Sequence, residues 1–520
     1  MINDALNSLT QAAIICSTTL ILWKVFRQCV VKSAFENIPG PPSESFIFGN
    51  LKQLLALDSW NYHDYLVENF PGIARLRGPL GSDILYVFEP RALHHILVKD
   101  QYIYEEARFF ISLLTDCFIG EHHRKQRKML NPVFSPKHMR HMIPIFYDVT
   151  QRLGRAMEGQ VKGGATELDV SAWMGRTALE IVGQAGLGYS FDPLVSEKPD
   201  EYASALKGFN LWRKILRFVP HEGVRGLMRV ADVLWKRSGE IYAQKKEALQ
   251  QGDAAVAQQV GEGKDIMSIL LKANMEASGE DKLEEQELIG QMNAFILAAM
   301  DTTSNALGLI LTRLAEYPDV QQKLREEILE AGAHKGLDFD ALMNLPFLEA
   351  VCRETLRIHA PVTQVFRETR KDVILPLVEP IRGVDGTMIH EIYVPKNTTV
   401  VAGLLNCNRW KALWGNDAYE WKPERWLSPL PPAVSEAKVP GVYSNLMTFL
   451  GGGRACIGFK FSQLEMKVVL SVLLSKFIFE KSEQPVFWNA AGVRYPSVGK
   501  QGGHASLPMK IRLYKGDGAN

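Results

Sequence analysis

The chain has 520 residues, of which 46% are hydrophobic and 22% are charged, and its formal net charge is +1. This composition is that of a globular protein with a large core. The chain has no overall excess of basic residues, which excludes nucleic-acid binding that depends on such an excess. The six cysteines are scattered without a C-x-x-C or zinc-like Cys/His spacing, which argues against a disulfide framework and favours reduced thiols in a cytosol-facing domain.

The N-terminal segment is apolar and is followed by basic residues. Residues 6–23 are mostly apolar, and three basic residues stand between positions 24 and 32. A membrane-spanning helix needs about 20 apolar residues, which this segment and its apolar flank just supply. Because the basic residues lie on the C-terminal side, the positive-inside rule predicts a cytosolic body. A cleaved signal peptide is the alternative, but its charges would precede the apolar stretch. We predict a single-pass anchor in residues 1–33 and one globular domain in residues 34–520.

The rest of the chain is patterned mainly for helices, with short strand-like segments towards both ends. The prolines of Pro39–Pro42 cannot continue a helix and favour a stiff, extended segment. Ile73–Arg77 and Asp83–Phe88 have the composition of two short strands around a turn. Strand-like residues return in Asp372–Pro395 and Met509–Tyr514. The sequence therefore predicts a mainly α fold with a small β region.

Two pairs of polar residues have the spacing of one helix face. His123 and Arg127 are four residues apart in a basic run, and Glu354 and Arg357 are three apart with opposite charges. A basic run is usually a solvated surface, and an isolated Glu-x-x-Arg pair is a weak signal. Neither pair indicates a function by itself, and both are interpreted below together with the motifs that accompany them.

A polar run interrupts a long apolar helical pattern. The pattern extends from Leu283 to Tyr317 and contains Asp301-Thr302-Thr303-Ser304. Threonine and serine are poor residues for a helix interior, and their hydroxyls can bond the carbonyl one turn earlier and bend the helix. Polar side chains in an apolar helix need partners or a function.

A single cysteine ends a glycine-rich loop, Phe449-Leu450-Gly451-Gly452-Gly453-Arg454-Ala455-Cys456-Ile457-Gly458. A thiolate in this position suits a soft metal or an iron centre. Glycines let backbone amides approach the sulfur, and Arg454 offers a fixed cation to an acidic group. An apolar, helix-compatible run follows from Phe459 to Phe479. The alternative is a glycine-rich helix entry with an incidental buried cysteine.

The loop resembles, position for position, the haem-binding signature Phe-x-x-Gly-x-Arg-x-Cys-x-Gly of the cytochrome P-450 family. Three further motifs stand in the family's order. Ala298–Ser304 is similar to [Ala/Gly]-Gly-x-[Asp/Glu]-Thr-[Thr/Ser], with Ala299 in place of the usual glycine. Glu354–Arg357 is similar to the family's ExxR pair, and Pro423–Trp426 to the element whose arginine completes its network.

The resemblance implies the cytochrome P-450 fold, a haem b cofactor, and roles for residues around it. Cys456 would be the axial ligand of the haem iron, and the arginines and His123 would bind the haem propionates; His123 departs from the family, which has tryptophan there. The implied cofactor-binding residues are Cys456, Arg454, Phe449, Gly452, Gly458, His123, Arg127 and Arg367. The implied structural network consists of Glu354, Arg357 and Arg425.

On the opposite side of the haem, the resemblance implies that Asp301 and Thr302 are catalytic, as the proton relay of dioxygen activation. The methyl group of Ala299 would narrow the groove beside them. The implied substrate pocket is lined by Phe109, Phe110, Phe118, Phe295, Ala298, Ala299, Val362, Val365 and Phe366, with Ile296 and Met300 as further candidates.

The implied activity is insertion of one oxygen atom of O2 into a lipophilic small molecule. No flavin- or nicotinamide-binding fingerprint is present in the sequence, so the expected electron donor is an NADPH–cytochrome reductase on the endoplasmic reticulum membrane, with cytochrome b5 as an optional second donor. The motifs look most like those of fungal microsomal members, which act on terpenoids, other secondary metabolites or aromatic xenobiotics. Three alternatives stay open: a haem-thiolate isomerase or dehydratase that needs no external electrons, a non-catalytic haem-binding sensor, and a membrane-anchored scaffold without haem.

Overall fold

The computed structural model describes residues 18–19, 33–107, 120–192, 194, 222–257, 259–260, 262–279 and 281–516. Apart from positions 18, 19 and 33, the predicted anchor in residues 1–33 lies outside these ranges. The described residues form a mainly helical protein with small sheets, which confirms the predicted fold class.

Ten helices of ten or more residues are present in the described part of the chain. They are α1 (Trp60–Asn69), α2 (Gly120–Leu130), α3 (Pro136–Lys162), α4 (Val170–Ile181), α5 (Glu222–Gln251), α6 (Ile266–Glu276), α7 (Glu285–Glu316), α8 (Pro318–Glu330), α9 (Pro346–Ile358) and α10 (Phe459–Lys476). The shorter α-helices are Leu51–Leu54, Pro90–His94, Asp253–Ala257, Ala333–Gly336, Phe339–Met343, Leu404–Arg409, Lys411–Trp414 and Pro432–Ala437.

The strands of the described residues form four small sheets. They are β1 (Ile73–Arg77), β2 (Asp83–Val87), β3 (Tyr104–Glu106), β4 (Glu167–Asp169), β5 (Gln364–Thr369), β6 (Val373–Arg382), β7 (Met388–Val394), β8 (Thr399–Gly403), β9 (Phe477–Lys481), β10 (Val486–Asn489), β11 (Tyr495–Val498) and β12 (Pro508–Leu513). The largest sheet has the order β1-β2-β8-β5-β3, and the others are β4-β12-β9, β6-β7 and β10-β11. The largest sheet therefore places strands from distant parts of the chain side by side.

Helix α7 is the central helix of the core. A capping box between Glu284 and Glu287 starts it, and the apolar residues of its second half, such as Leu307 and Ile310, are fully buried. Among the described residues, α7 is the one helix that is long and apolar enough to cross a membrane, but 56% of its most apolar segment is buried inside the protein. Its apolar character is therefore accounted for by the core.

Helix α10 follows the cysteine-bearing loop and packs against α7. The Thr303 hydroxyl of α7 donates to Ser462 Oγ of α10 at 3.2 Å, so the polar run of α7 lies near the first turns of α10. The apolar run predicted to extend helically to Phe479 instead leaves the helix at Lys476 and continues as β9. Phe477 and Phe479 point the same way in that strand and are both buried, a period of two that only a strand provides.

Candidate functional site

The cysteine loop, Phe449–Gly458, is held by its own backbone and by close packing on its neighbours. The Cys456 amide donates to the Phe449 carbonyl at 2.9 Å. A Cβ atom on Gly452 would lie 2.0 Å from the Leu97 carbonyl oxygen, and one on Gly451 would lie 1.9 Å from a neighbouring carbonyl oxygen. Gly452 also has a φ of +70°. These glycines are therefore required by the close approach of neighbouring backbone, a reason that the sequence did not reveal.

The Cys456 sulfur faces an internal space. Its side chain is exposed, yet burial by the surrounding protein raises the pKa of its thiol. Side chains with both properties line an enclosed cavity rather than the outer surface. The Gly458 amide hydrogen-bonds the sulfur, and this bond, followed by the charge of Arg127, lowers the pKa and opposes the effect of burial. The sulfur thus has an amide donor and a nearby cation that favour its thiolate form.

A group of positive or neutral donors lies at one edge of this space. Burial, followed by the charges of Arg454 and Arg127, lowers the pKa of His123 from 6.5 to about 4. Arg127 Nη1 donates to the Ala455 carbonyl at 2.5 Å, which attaches α2 to the cysteine loop. The structure therefore brings His123, Arg127 and Arg454 together, and their combined charge favours an anionic ligand.

Arg367 lies on β5 near the same edge and has a carboxylate partner. The arginine is 3% exposed, and its Nη1 donates to Glu106 Oε2 at 2.7 Å and to the Phe366 carbonyl at 2.9 Å. The charges of Glu106 and Arg367 both act on the pKa of Arg454, so the three groups are neighbours.

Glu354, Arg357 and Arg425 form a buried ion cluster behind the cysteine loop. Arg357 Nε and Nη2 donate to the two carboxylate oxygens of Glu354 at 2.9 and 2.8 Å, and Arg425 Nε donates to Glu354 at 3.3 Å. Trp426 Nε1 and the Lys422 amide also donate to this carboxylate. Glu354 and Arg357 have no exposed side-chain surface. The cluster is thus completed entirely by protein groups.

Asn408 connects this cluster to the cysteine loop. Arg357 Nη1 donates to the Asn408 carbonyl at 3.0 Å. The Asn408 side chain in turn donates to Thr448 Oγ1 at 2.9 Å and accepts the Met447 amide at 2.8 Å. Because Phe449 follows directly, the cluster fixes the start of the loop that carries the thiol.

On α7, the polar run makes hydrogen bonds within its own helix. Thr302 Oγ1 donates to the Ala298 carbonyl at 2.7 Å, the bond one turn earlier that the sequence predicts. The Asp301 carbonyl accepts the Asn305 side-chain amide at 2.7 Å and the Ser304 hydroxyl at 3.4 Å. The side chains of Thr302, Ser304 and Asn305 therefore all donate to backbone carbonyls of the preceding turn, those of Ala298 and Asp301.

The exposure of α7 side chains identifies the face that borders the internal space. Ala298 is exposed and Thr302 is partly exposed, although this helix lies in the core. Ile296 and Met300 are buried at 0% and 3% exposure, and Met300 points towards Gly175 of α4. The prediction that Ile296 and Met300 line the pocket is therefore wrong, because helical periodicity turns them to the opposite, α4-facing side.

The other predicted pocket residues fall into two groups. Phe109, Phe110 and Phe118 lie outside the described residues. The remaining ones are partly exposed, and Phe295 makes an edge-to-face contact with Phe134 at 5.6 Å between ring centroids. These remaining residues are Phe295, Ala299, Val362, Val365 and Phe366.

Sequence reasoning missed several residues that shape the site. Gln101 Oε1 accepts the Gly453 amide at 2.8 Å and so supports the loop from outside. Asn408 and Asn305 were also missed: Asn305 directly follows the polar run Asp301–Ser304, and Asn408 lies in the short helix Leu404–Arg409. The continuation of the polar run by one residue is a signal that could have identified Asn305, because polar side chains in a core helix need partners.

The donor set fits an iron porphyrin. The thiol in the glycine-rich loop, the exposed Ala298 with the Thr302 turn, and the cationic edge are groups that suit the iron, the flat ring and the two carboxylates of haem. A helical fold with this arrangement defines the class of haem-thiolate proteins. The sequence profile of the family described as Cytochrome P450 matches residues 39–492, and the chain belongs to this family.

Named relatives give the same result over nearly the whole chain. Cytochrome P450 monooxygenase 91 of Postia placenta is 51% identical, covering 96% of this chain and 98% of the relative. Cytochrome P450 monooxygenase 219 of the same fungus is 50% identical over 95% of this chain and 97% of its own. Ganoderic acid synthetase CYP5150L8 of Ganoderma lucidum is 47% identical over 96% and 97%, respectively. The protein is therefore a monooxygenase enzyme with a haem-iron cofactor.

Proposed function

We propose that the protein inserts one oxygen atom of O2 into a terpenoid or similarly lipophilic small molecule. The observation that carries this proposal is the Thr303–Ser462 hydrogen bond, which sets the polar turn of α7 near the helix that follows Cys456. A relative at 47% identity is named a ganoderic acid synthetase, which supports a terpenoid substrate. Other secondary metabolites and aromatic xenobiotics are the next classes to test.

The cofactor in this proposal is haem b. Cys456 would hold the iron, with the Gly458 amide on its sulfur; Phe449 and Gly452 would shape the loop beneath the ring. The cationic edge of Arg454, His123, Arg127 and Arg367 would bind the carboxylates. When bound, the haem supplies O2 activation, which thiolate ligation promotes.

Asp301 and Thr302 are proposed to move protons at the oxygen-binding face. The Thr302 hydroxyl donates its hydrogen to the Ala298 carbonyl, so the lone pairs of its oxygen can accept a further hydrogen bond. The Asp301 carboxyl is the adjacent group that can donate and regain a proton. Glu354, Arg357 and Arg425 act only by fixing the loop, through Asn408.

The substrate would lie beside α7 and β5 in this proposal. Phe295, Ala298, Ala299, Val362, Val365 and Phe366 offer an apolar lining, to which Phe109, Phe110 and Phe118 would add. Apolar walls hold a lipophilic molecule, and their shape selects the carbon that reacts.

The proposed cellular setting is the endoplasmic reticulum membrane, with residues 1–33 as a single-pass anchor and residues 34–520 as the cytosolic catalytic domain. The exposed apolar side chains of Phe46, Ile47 and Phe48, at 56–59% exposure, support a membrane contact close to the anchor. Electrons would come from an NADPH–cytochrome reductase on the same membrane, with cytochrome b5 as an optional second donor.

The test is co-expression with an NADPH–cytochrome reductase, followed by turnover of a panel of terpenes, sterols and polycyclic aromatics under ¹⁸O2. We expect a thiolate-type spectrum of the reduced, CO-bound protein and a product that carries one ¹⁸O atom and depends on NADPH. Product formed without NADPH would favour the isomerase or dehydratase. An intact spectrum without any turnover would favour the sensor, and a colourless protein after haem supplementation would favour the scaffold.

A further inference from the structure

Strand β3 places an acidic pair opposite an arginine that we assign to the cofactor carboxylates. β3 and β5 are antiparallel, and their register sets Glu106 opposite Arg367 and Glu105 opposite Glu368. Glu106 Oε2 accepts Arg367 Nη1 at 2.7 Å. The arginine is 3% exposed, so this ion pair is largely shielded from solvent.

The influence of Glu106 extends beyond Arg367. Among the charges acting on Arg454, that of Glu106 is the largest, and it raises the pKa of Arg454 against the effect of burial. One carboxylate therefore offsets two of the cations at the edge of the site. At the same edge, His123 has positive neighbours instead, whereas the charge that acts on Arg127 is that of Cys456, which raises the pKa of Arg127 against the effect of burial.

The adjacent carboxylate faces a different partner. Glu105 Oε2 accepts Arg370 Nε at 3.1 Å, and Arg370 also pairs with Glu368 at 3.0 Å. Successive residues of a strand point to opposite faces of the sheet, which explains why Glu105 and Glu106 form ion pairs with different arginines. Glu105 also raises the pKa of Arg454, but its effect ranks below those of Glu106 and Arg367. It is thus a control for Glu106 that is matched in strand and charge but differs in its ion-pair partner.

We propose that Glu106 is a positioning residue of the haem site, whose carboxylate holds Arg367 and balances the charge of Arg367 and Arg454 near the haem carboxylates. The inference rests on the proposed function. A negative charge near the iron favours its ferric over its ferrous state, so Glu106 lowers the reduction potential of the bound haem. It also withholds one N–H of Arg367 from the cofactor, and a neutral amide in its place would hold that donor more weakly.

The experiment compares the haem-loaded wild type with Glu106→Gln, Glu106→Asp and Glu105→Gln. Spectroelectrochemistry gives the haem reduction potential, and transfer of haem to excess apomyoglobin gives the rate of haem loss. For Glu106→Gln we expect a positive shift of the potential and several-fold slower haem loss. Glu106→Asp should stay close to wild type. Glu105→Gln should shift the potential less than Glu106→Gln, because Glu105 acts on Arg454 more weakly than Glu106 does, and it should leave haem loss unchanged because Glu105 pairs with Arg370 and not with Arg367.

A structural role for Glu106 gives the opposite pattern. If Glu106 only joins β3 to β5, Glu106→Gln should lose haem faster with an unchanged potential, and this result would overturn the inference. Should Glu106→Gln fail to load haem, Arg367→Gln decides: a negative shift supports the charge balance, and an unchanged potential refutes it. A wild-type protein without the thiolate-type CO spectrum would instead refute the proposed function itself.

Discussion

The two sides of the cysteine loop differ in how their charges are satisfied. Behind the loop, Arg425 is shared between Glu354 and Asp417, and Arg357 is fully occupied by a carboxylate and backbone carbonyls. At the cavity edge, His123 is surrounded by arginines, and burial lowers the pKa of Arg127. The first region is complete as protein alone, whereas in the second Glu106 balances part of the positive charge and we propose that an acidic ligand balances the rest. A scaffold whose buried charges are paired within the protein can thus support a site whose charges are only partly paired.

Replacing the thiol should produce the largest functional change with little effect on the fold. In Cys456→Ser, we expect complete loss of the thiolate-type CO spectrum and of oxygenation, because sulfur is the proposed iron ligand. The side chain is exposed to the cavity, so the urea midpoint of the haem-free protein should barely move. Reduced CO difference spectra and urea unfolding check both parts. A wild-type spectrum in this variant would refute the ligand assignment.

Breaking the buried ion cluster behind the loop should instead lower the free energy of unfolding. Glu354→Gln removes the carboxylate that compensates Arg357 and Arg425, and breaking a buried ion cluster costs about 3–5 kcal/mol. The matched control is Glu424→Gln, which loses only an exposed pair with Lys323, at 50% exposure on both sides, worth about 0–1 kcal/mol. Equilibrium urea unfolding measures both. Equal losses in the two variants would contradict the distinction between the regions.

Acid should also reduce stability, and His63, which lies near the ion-cluster side of the loop, is one histidine that should cause this. His63 is fully buried on α1, and its carbonyl accepts Asn406, two residues before Asn408. Burial, followed by the charges of Arg409 and another arginine, lowers the pKa of His63 from 6.5 to about 4. The unfolded chain therefore binds this proton at higher pH than the folded protein, and stability present above about pH 6.5 is lost as the pH falls towards 4.

The size of this effect is about 3 kcal/mol, because folding lowers the pKa of His63 from 6.5 to about 4. Urea unfolding of wild type and His63→Gln at pH 7 and pH 4.5 measures it, and the variant should lose less stability between the two values. His504→Gln, which replaces an exposed histidine, should keep the wild-type dependence. A slope that is unchanged in His63→Gln would show that other groups cause the acid sensitivity.

The smallest expected change in stability comes from the polar turn of α7. Thr302→Ala removes one hydrogen bond within its own helix, worth about 1 kcal/mol or less. Its functional effect should be a several-fold fall in product per NADPH consumed, with the difference released as peroxide. Thr312→Ala is the control, because Thr312 makes the same bond to the Gly308 carbonyl at 2.8 Å in the same helix. Unchanged coupling in Thr302→Ala would remove this residue from the proton relay.

Most of the site could be predicted from the sequence because its motifs are local. The loop around Cys456, the Glu354–Arg357 pair and the Thr302 turn each depend on spacings of a few residues, which fix geometry within one helix or loop. The same local reasoning was wrong for Ile296 and Met300. Apolar composition alone does not reveal which face of a core helix meets another helix and which meets a cavity.

The sequence by itself determined the fold class. It also led to the proposal that Cys456 is the iron ligand, and it identified the residues that flank this cysteine. Only the tertiary structure decided that Leu97 requires glycine at position 452, that Asn408 joins the ion cluster to the loop, and that Glu106 pairs with Arg367. These contacts join residues that are far apart in the chain. Their physical basis is close packing and the pairing of buried charges, which exist only once the strands and helices have assembled.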